Sequence, residues 1–282
     1  LESVAGAMGA NQNVAAETLS ELEEAELLIM NGTAMRLSPE GERYALNIIR
    51  AHRLWEKHLA EQTGVAESQW HPQAEHQEHF ITPQQANILA AELGNPPFDP
   101  HGDPIPDAQG DYVRLKGKPL SSLEPGVWVR VLHLEDEPEH VHAQIRAIGL
   151  CPGMRVRVLE KTHSRLRIWC DGEEHVLAPI VAANISGVVL PDAPAVEEGT
   201  GIPLSKVTPG QRARVLHISA RCRGAERRRL MDLGILPGTV LCGELRSPAG
   251  ELTAYRVREA LIALRREQAD LIQVTPEEKT AA

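Results

Sequence analysis

Trp70-His71-Pro72-Gln73-Ala74-Glu75-His76-Gln77-Glu78-His79 is the stretch that decides the architecture. Wound as a helix, it places His71, Glu75, Glu78 and His79 at i, i+4, i+7 and i+8, all on one face. Two imidazoles and two carboxylates on one stripe make a costly solvated surface but a natural divalent-metal site. Upstream, His52 and Glu56 repeat the i, i+4 pairing on a second predicted helix. The two helices together read as a metal-sensing core. All six candidates offer nitrogen or oxygen and none offers sulfur, which suits Mn(II) or Fe(II), with Zn(II), Co(II) or Ni(II) chemically possible. Their number fits two sites better than one closed tetrahedral set.

Working outward, Ser38-Pro39-Glu40 starts the His52 helix with a serine N-cap and proline in the first turn. That helix is expected to run to Gly64 and to bury Ala45, Ile48, Ile49, Leu54 and Leu59. Thr82-Pro83-Gln84-Gln85 is a capping-box start for a further helix ending at Gly94. The segment from Asn95 to Pro106 is too rich in proline and glycine to be regular, so it is an ordered loop or a linker.

Before this core, Leu1 to Met8 reads as a short helix closed by Gly9. A second helix follows Ala10-Asn11-Gln12-Asn13, with Val14, Thr18, Leu19, Leu22 and Ala25 as its apolar face. Leu28 to Leu37 is a hairpin with Asn31-Gly32 as a type I′ turn. Two short helices and a hairpin make a winged helix-turn-helix. Asn11, Gln12, Asn13 and Arg36 are its candidate DNA contacts. Its charge opposes them: Arg36 and Arg43 stand against eight glutamates, and the second helix has no Lys or Arg. Phosphate neutralisation supplies most non-specific DNA affinity. Two readings follow, a weak operator binder or a winged helix kept as a packing module.

Downstream lies an internal repeat. Leu120-Ser121-Ser122-Leu123-Glu124-Pro125-Gly126 and Val129-Arg130-Val131-Leu132-His133 return as Leu204-Ser205-Lys206-Val207-Thr208-Pro209-Gly210 and Ala213-Arg214-Val215-Leu216-His217. Ile148 to Gly153 likewise returns as Leu233 to Gly238. Each copy alternates short β-rich runs with Pro-Gly turns and one short helix, the pattern of a small five-stranded SH3-like barrel. Pro191 through Gly201 reads as the linker between them. His133 and His217 recur at the same place and read as structural. The run Arg221, Arg223, Arg227, Arg228 and Arg229 reads as a solvated helix face or as a surface for an acidic partner.

The bulk numbers agree with small modules. The chain of 282 residues has a net charge of −10, 3% aromatic residues and 20 prolines, which favours several small cores over one large one. Cys151, Cys170, Cys222 and Cys242 are scattered, as expected of reduced thiols in a cytoplasmic protein. No run of about 18 apolar residues appears, so no membrane span is expected. No Ser/His/Asp set or activated cysteine assembles and no substrate pocket is indicated, so the chain is not expected to be an enzyme, although a bound metal with carboxylates could in principle run hydrolysis. The chain opens at Leu1 inside a helical pattern, so a segment upstream of it is expected.

Ala51-His52-Arg53-Leu54-Trp55-Glu56, the His71 to His79 helix and Asp99-Pro100-His101-Gly102-Asp103-Pro104-Ile105-Pro106 resemble the diphtheria-toxin-repressor (DtxR/MntR) family of metal-dependent bacterial regulators. The resemblance covers residues 1 to about 190. It implies that His52, Glu56 and His71 are ligands of an ancillary site, and that Glu75, Glu78 and His79 belong to a primary, activating site to which His71 also contributes in manganese sensors. Glutamate at the Glu75 position is similar to the manganese branch. Glu139 and His142 fall where the family's first SH3-like domain lends two ligands to the ancillary site. The family's first helix, a donor of further primary ligands, has no counterpart in this sequence. Both repeat copies resemble FeoA domains of ferrous-iron uptake, the second more closely through Arg228 to Gly238.

The expected architecture is therefore multidomain α+β: a winged helix (1–46), a helical metal-binding and dimerisation domain (47–110), and two SH3-like or FeoA-like β-barrels (117–191 and 203–275). The expected function is Mn- or Fe-dependent transcriptional regulation by a homodimer on operator DNA. The alternative is a non-DNA-binding accessory of ferrous-iron transport that binds a transporter's cytosolic domain.

Overall fold

The computed structural model describes residues 2–7, 9–32, 34–191 and 201–277. They group into two compact units, one of residues 1–57, 69–99 and 104–113, the other of residues 58–68, 100–103 and 114–282.

The first unit opens with α1 (Glu2–Ala7) and α2 (Gln12–Glu24). The side chain of Asn11 starts α2 by accepting hydrogen bonds from the backbone N–H groups of Asn13 and Val14, each at 3.0 Å. The buried face differs by one residue from expectation: Ala15 is fully buried, whereas Val14 is 43% exposed. Ala15, Thr18, Leu19 and Leu22 form the i, i+3, i+4, i+7 stripe instead. The hairpin of β1 (Leu28–Asn31) and β2 (Ala34–Leu37) pairs Asn31 with Ala34. Its turn is thus one residue later than Asn31-Gly32, with Gly32 at φ +64°. Met8 and Thr33, parts of the expected first helix and hairpin, lie outside the described residues.

The long helix α3 (Pro39–Gln62) follows. The Ser38 hydroxyl accepts from Gly41 N–H at 2.9 Å and donates to the Glu26 carbonyl at 2.7 Å, so the cap also ties α3 to the turn between α2 and β1. The boundary expected after residue 46 falls inside α3. Ala51 and Leu54 are buried, but Ile49 is 37% exposed. Next come α4 (Trp70–Gln77), seated by buried Trp70 and Ala74, and α5 (Pro83–Glu92). The Thr82/Gln85 capping box forms as expected. Leu54, Ala86, Ala90 and Ile105 make the core. The proline-rich segment is an ordered loop: Arg50 Nε donates to Pro106 O at 2.9 Å and Arg53 Nη1 to Pro104 O at 2.6 Å.

The second unit contains the duplication. The first copy comprises β3 (Lys118–Pro119), β4 (Trp128–Leu134), α6 (Glu139–Ala147), β5 (Arg155–Lys161), β6 (Leu166–Cys170), β7 (Glu173–Leu177), α7 (Pro179–Ala183) and β8 (Ile185–Leu190). The second comprises β9 (Ile202–Pro203), β10 (Arg212–Ile218), α8 (Gly224–Asp232), β11 (Val240–Arg246), β12 (Leu252–Val257), β13 (Ala260–Arg265), α9 (Arg266–Asp270) and β14 (Ile272–Pro276). Their sheets run β3-β8-β4-β5-β6-β7 and β9-β14-β10-β11-β12-β13, the same order twice. Equivalent residues fill equivalent core places: Leu120 and Leu204, Val131 and Val215, Ile145 and Leu230 are all buried. Even the register irregularity repeats, between Val131 and His133 and between Val215 and His217. Each sheet has six strands and two unpaired edges, whereas a closed five-stranded barrel was expected. The copies touch where the Ser219 hydroxyl donates to Asp171 Oδ2 at 3.1 Å. Of the expected linker, residues 192–200 lie outside the described residues. None of the four cysteines forms a disulfide among the described residues. Among the described residues, no helix is long and apolar enough to cross a membrane.

Candidate metal centre

In the first unit, α3 and α4 bring their ligand stripes together. The i, i+4 spacing on α3 puts His52 Nε2 at 3.3 Å from Glu56 Oε1, and His71 Nδ1 on α4 lies 3.5 Å from the same oxygen. The two imidazole rings meet edge to face, with centroids 4.9 Å apart. One ligand atom from each of His52, Glu56 and His71 lies within 4.8 Å of the other two. Glu56 is 1% exposed. A carboxylate this deep needs compensation, and two imidazoles and a metal supply it better than imidazoles alone. The donor set therefore fits a first-row divalent metal.

Glu78 and His79 follow α4 in a turn that keeps helical geometry at Glu78. Glu78 Oε2 accepts from or shares a proton with His52 Nδ1 at 2.6 Å, and Glu78 Oε1 lies 3.4 Å from His79 Nε2. The Glu78 carboxylate thus bridges the two expected ligand sets. Glu75 is exposed and His79 is 61% exposed, so these two are not drawn into the cluster. Burial by itself pushes the His52 pKa down. The hydrogen bond and charge of Glu56 and the hydrogen bond of Glu78 outweigh it and hold His52 above its ordinary value.

In the second unit, Glu139 and His142 start α6 but point to different partners. Glu139 is exposed and pairs with Arg146 at 2.6 Å. His142 is 3% exposed, and its ring packs edge to face against His101, with centroids 5.0 Å apart. Burial, then the neighbouring His101 and Arg146, push the His142 pKa down to about 4, so its imidazole is neutral near pH 7. Glu67 completes this second cluster: one ligand atom from each of Glu67, His101 and His142 lies within 4.8 Å of the others. Glu67 and His101 were not singled out as ligands from the sequence. The available signal was the histidine set between Pro100 and Gly102 in a loop too constrained to be a mere connector.

The arginine run on and before α8 is neither a solvated face nor an open basic surface throughout. Arg223 donates to Pro100 O at 3.1 Å and Arg228 to Glu61 O at 2.8 Å. Arg227 donates to the carbonyls of Ile218 and Ser219 at 3.2 and 3.1 Å. Of the candidate DNA contacts, Gln12, Asn13 and Arg36 are exposed, while the Asn11 side chain is engaged as the α2 cap.

Comparisons with known proteins place the segment that carries these residues in a described family. Residues 38–107 match the family described as iron dependent repressor, metal binding and dimerisation domain, and residues 202–276 match the FeoA domain. The iron-dependent repressor IdeR of Mycobacterium leprae (strain TN) is 29% identical over 178 residues, covering 58% of this chain and 76% of the relative. A solved manganese-dependent transcriptional repressor in complex with manganese superposes with a TM-score of 0.61 at 29% identity, over 67% of this chain and 90% of that one. A second manganese-dependent transcriptional repressor gives 0.56 at 30% identity, over 62% and 93%.

Proposed function

The chain belongs to the diphtheria-toxin-repressor family of iron- and manganese-dependent transcriptional repressors, and from that premise we propose that it regulates metal homeostasis by binding operator DNA as an Mn(II)- or Fe(II)-responsive homodimer. The family comprises repressors rather than enzymes. The observation that carries the proposal is the shared carboxylate: His52 Nδ1 holds Glu78 Oε2 at 2.6 Å. His52, Glu56 and His71 form the ancillary site in this reading, and Glu75, Glu78 and His79 form the primary one. When bound, the metal supplies positive charge among buried carboxylates. A ligand set that claims Glu78 takes it from His52, so occupancy of one site changes affinity at the other.

The remaining assignments follow the same reading. Residues 1–46 act as the winged helix and 47–110 as the metal-binding and dimerisation domain. The six-stranded sheets, bent at their matching bulges, act as SH3-like modules over 117–191 and 203–275. Gln12 and Asn13 on the first turn of α2, with Arg36 on β2, face a palindromic operator whose half-sites lie one helical turn or a multiple apart. Asn11 contributes through its cap. With no cation on α2, binding is weak and its salt dependence shallow. In a gel-shift assay with selected operator DNA, Mn(II) is expected to induce a complex at about 50 mM salt. Its absence there overturns DNA regulation. The FeoA match favours a second, subordinate reading, docking to a transporter's cytosolic domain. A pull-down that fails with and without Fe(II) removes it.

The metal assignment has its own check. Glu75→Ala combined with His79→Ala is expected to abolish the tighter phase of Mn(II) binding in calorimetry. Unchanged stoichiometry and affinity would show the primary assignment to be wrong.

A further inference from the structure

The outer face of the first repeat copy carries a row of side chains that its twin lacks. Successive residues of a strand point to opposite sides of a sheet. Trp128 and Arg130 on β4, Arg155 and Arg157 on β5 and Trp169 on β6 therefore share the side away from the buried Val129, Val156 and Ile168. Register sets them side by side: Trp128 lies opposite Arg157, Arg157 opposite Trp169, and Arg130 opposite Arg155. The two indoles lean together across the middle strand, with ring centroids 5.6 Å apart at 78°. The Arg157 guanidinium stands 6.0 Å from the Trp128 ring. Both indoles stay partly exposed, and the three arginines are exposed. This face holds two of the four tryptophans of a chain with 3% aromatic residues, and clustered cations in a chain of net charge −10. An ordinary solvated face does not account for that.

The second copy shows the same positions without this character. Arg212, Cys242 and Arg256 take the places of Trp128, Arg157 and Trp169. Arg212 and its neighbour Arg214 pair with Glu277 at 3.4 and 2.6 Å, and Arg256 pairs with Glu244 at 2.7 Å. In the first copy the carboxylates of Glu160 and Glu174 go to Arg165 and Arg167 instead. Among the described residues, no ion pair engages Arg130 or Arg157.

We propose that this face binds single-stranded nucleic acid, with bases stacked on Trp128 and Trp169 and phosphates held by Arg130 and Arg157. Every base offers a π-face, and an exposed indole beside an arginine is a platform for it. In a duplex those faces are stacked on one another and closed to side chains. An acidic peptide would satisfy the arginines and leave the indoles unused. Unpaired nucleotides use both. The interaction needs neither the winged helix nor a metal.

The test uses the full chain in EDTA, which silences metal-driven operator binding. Fluorescein-labelled oligo-thymidylate and oligo-uridylate of about 12 nucleotides are the probes, read by anisotropy at about 50 mM salt. Both should bind, and the tighter one identifies DNA or RNA as the natural strand. Trp128→Leu and Trp169→Leu, which keep apolar bulk but lose the aromatic face, should each weaken binding about tenfold. Phenylalanine at either position should restore most of it. Arg130→Gln with Arg157→Gln, both far from the core, should weaken binding and flatten its log–log salt slope by about 1.4. Arg212→Gln with Arg256→Gln in the second copy should change neither. Failure of both probes to bind overturns the proposal, as does binding that the arginine pair and the leucine variants leave intact. Displacement of the probe by polyglutamate as readily as by unlabelled oligonucleotide would make the face an acidic-peptide surface. Equal displacement by duplex of the same length would reduce it to a phosphate surface, and either result overturns the base-stacking assignment.

Discussion

Helices α6 and α8 are one element used twice. Each has nine residues, each buries a large aliphatic residue at its seventh position, Ile145 or Leu230, and each ends before a left-handed glycine, Gly149 or Gly234. They part at the fourth position. In α8 it is Arg227, whose guanidinium spans the carbonyls of Ile218 and Ser219. In α6 it is His142, buried with Nε2 unpartnered. The second copy spends this position on closing its own backbone, and the first leaves it facing Glu67 and His101. Duplication lets one scaffold position be structural in one copy and chemically available in the other.

Removing the two fourth-position residues in separate, metal-free proteins tests their different roles most directly. Arg227→Ala should cost about 2–3 kcal/mol, because buried carbonyls lose a charged donor. His142→Leu should be neutral or slightly stabilising, since it removes an unsatisfied polar atom of similar volume. Urea unfolding measures both, and equal losses would show that the two positions do the same work. Gly224→Ala comes next, at about 1–2 kcal/mol. Gly224 sits at φ +55°, and an added Cβ would lie 2.8 Å from Ala60 O, whereas α6 carries Glu139 at the matching first position without strain.

The contact between copies gives a smaller, pH-dependent effect. A hydrogen bond from His217, together with Ser219 and Arg221, holds the Asp171 carboxyl below its usual range despite burial. Its folded pKa is therefore below its unfolded one. The stabilisation is complete above the ordinary carboxylate pKa of about 4 and is lost as pH falls through the lowered value. Asp171→Asn should cost about 1 kcal/mol at pH 7 and nothing near pH 2, seen as Tm curves that converge in acid. Smallest of all, Glu139→Ala should change stability by less than about 0.5 kcal/mol, because its ion pair with Arg146 is exposed. A larger loss would mean that Glu139 has a partner beyond Arg146.

Much of this was legible in the chain because the signals were local. The Thr82 to Gln85 capping box, the helical spacing of His52 and Glu56, and the duplicated Leu-x-x-x-x-Pro-Gly and Pro-Gly turns all act within a few residues. Where the reading slipped, it slipped by a register. Ala15 took the core place given to Val14, and the hairpin turned after Asn31 rather than through it. One-residue shifts hardly alter a periodic pattern, so sequence alone decides them poorly. The arginines around α8 misled for a different reason. Charge counting cannot tell a cation facing solvent from one satisfied by a distant carbonyl such as Pro100 O or Glu61 O.

Helical periodicity fixes which of His52, Glu56, His71, Glu75, Glu78 and His79 share a face, because i, i+4 neighbours meet in any helix that forms, and the recurring Pro-Gly motifs reveal the duplication of the β-rich half. No periodic pattern announces that Glu78 reaches across to His52, or that Glu67, His101 and His142 meet at all. Those contacts join segments far apart in the chain. Their meeting depends on core packing, on carbonyl clamps and on Gly102, where a Cβ would strike the Leu132 carbonyl, and none of these leaves a periodic trace near the residues it brings together.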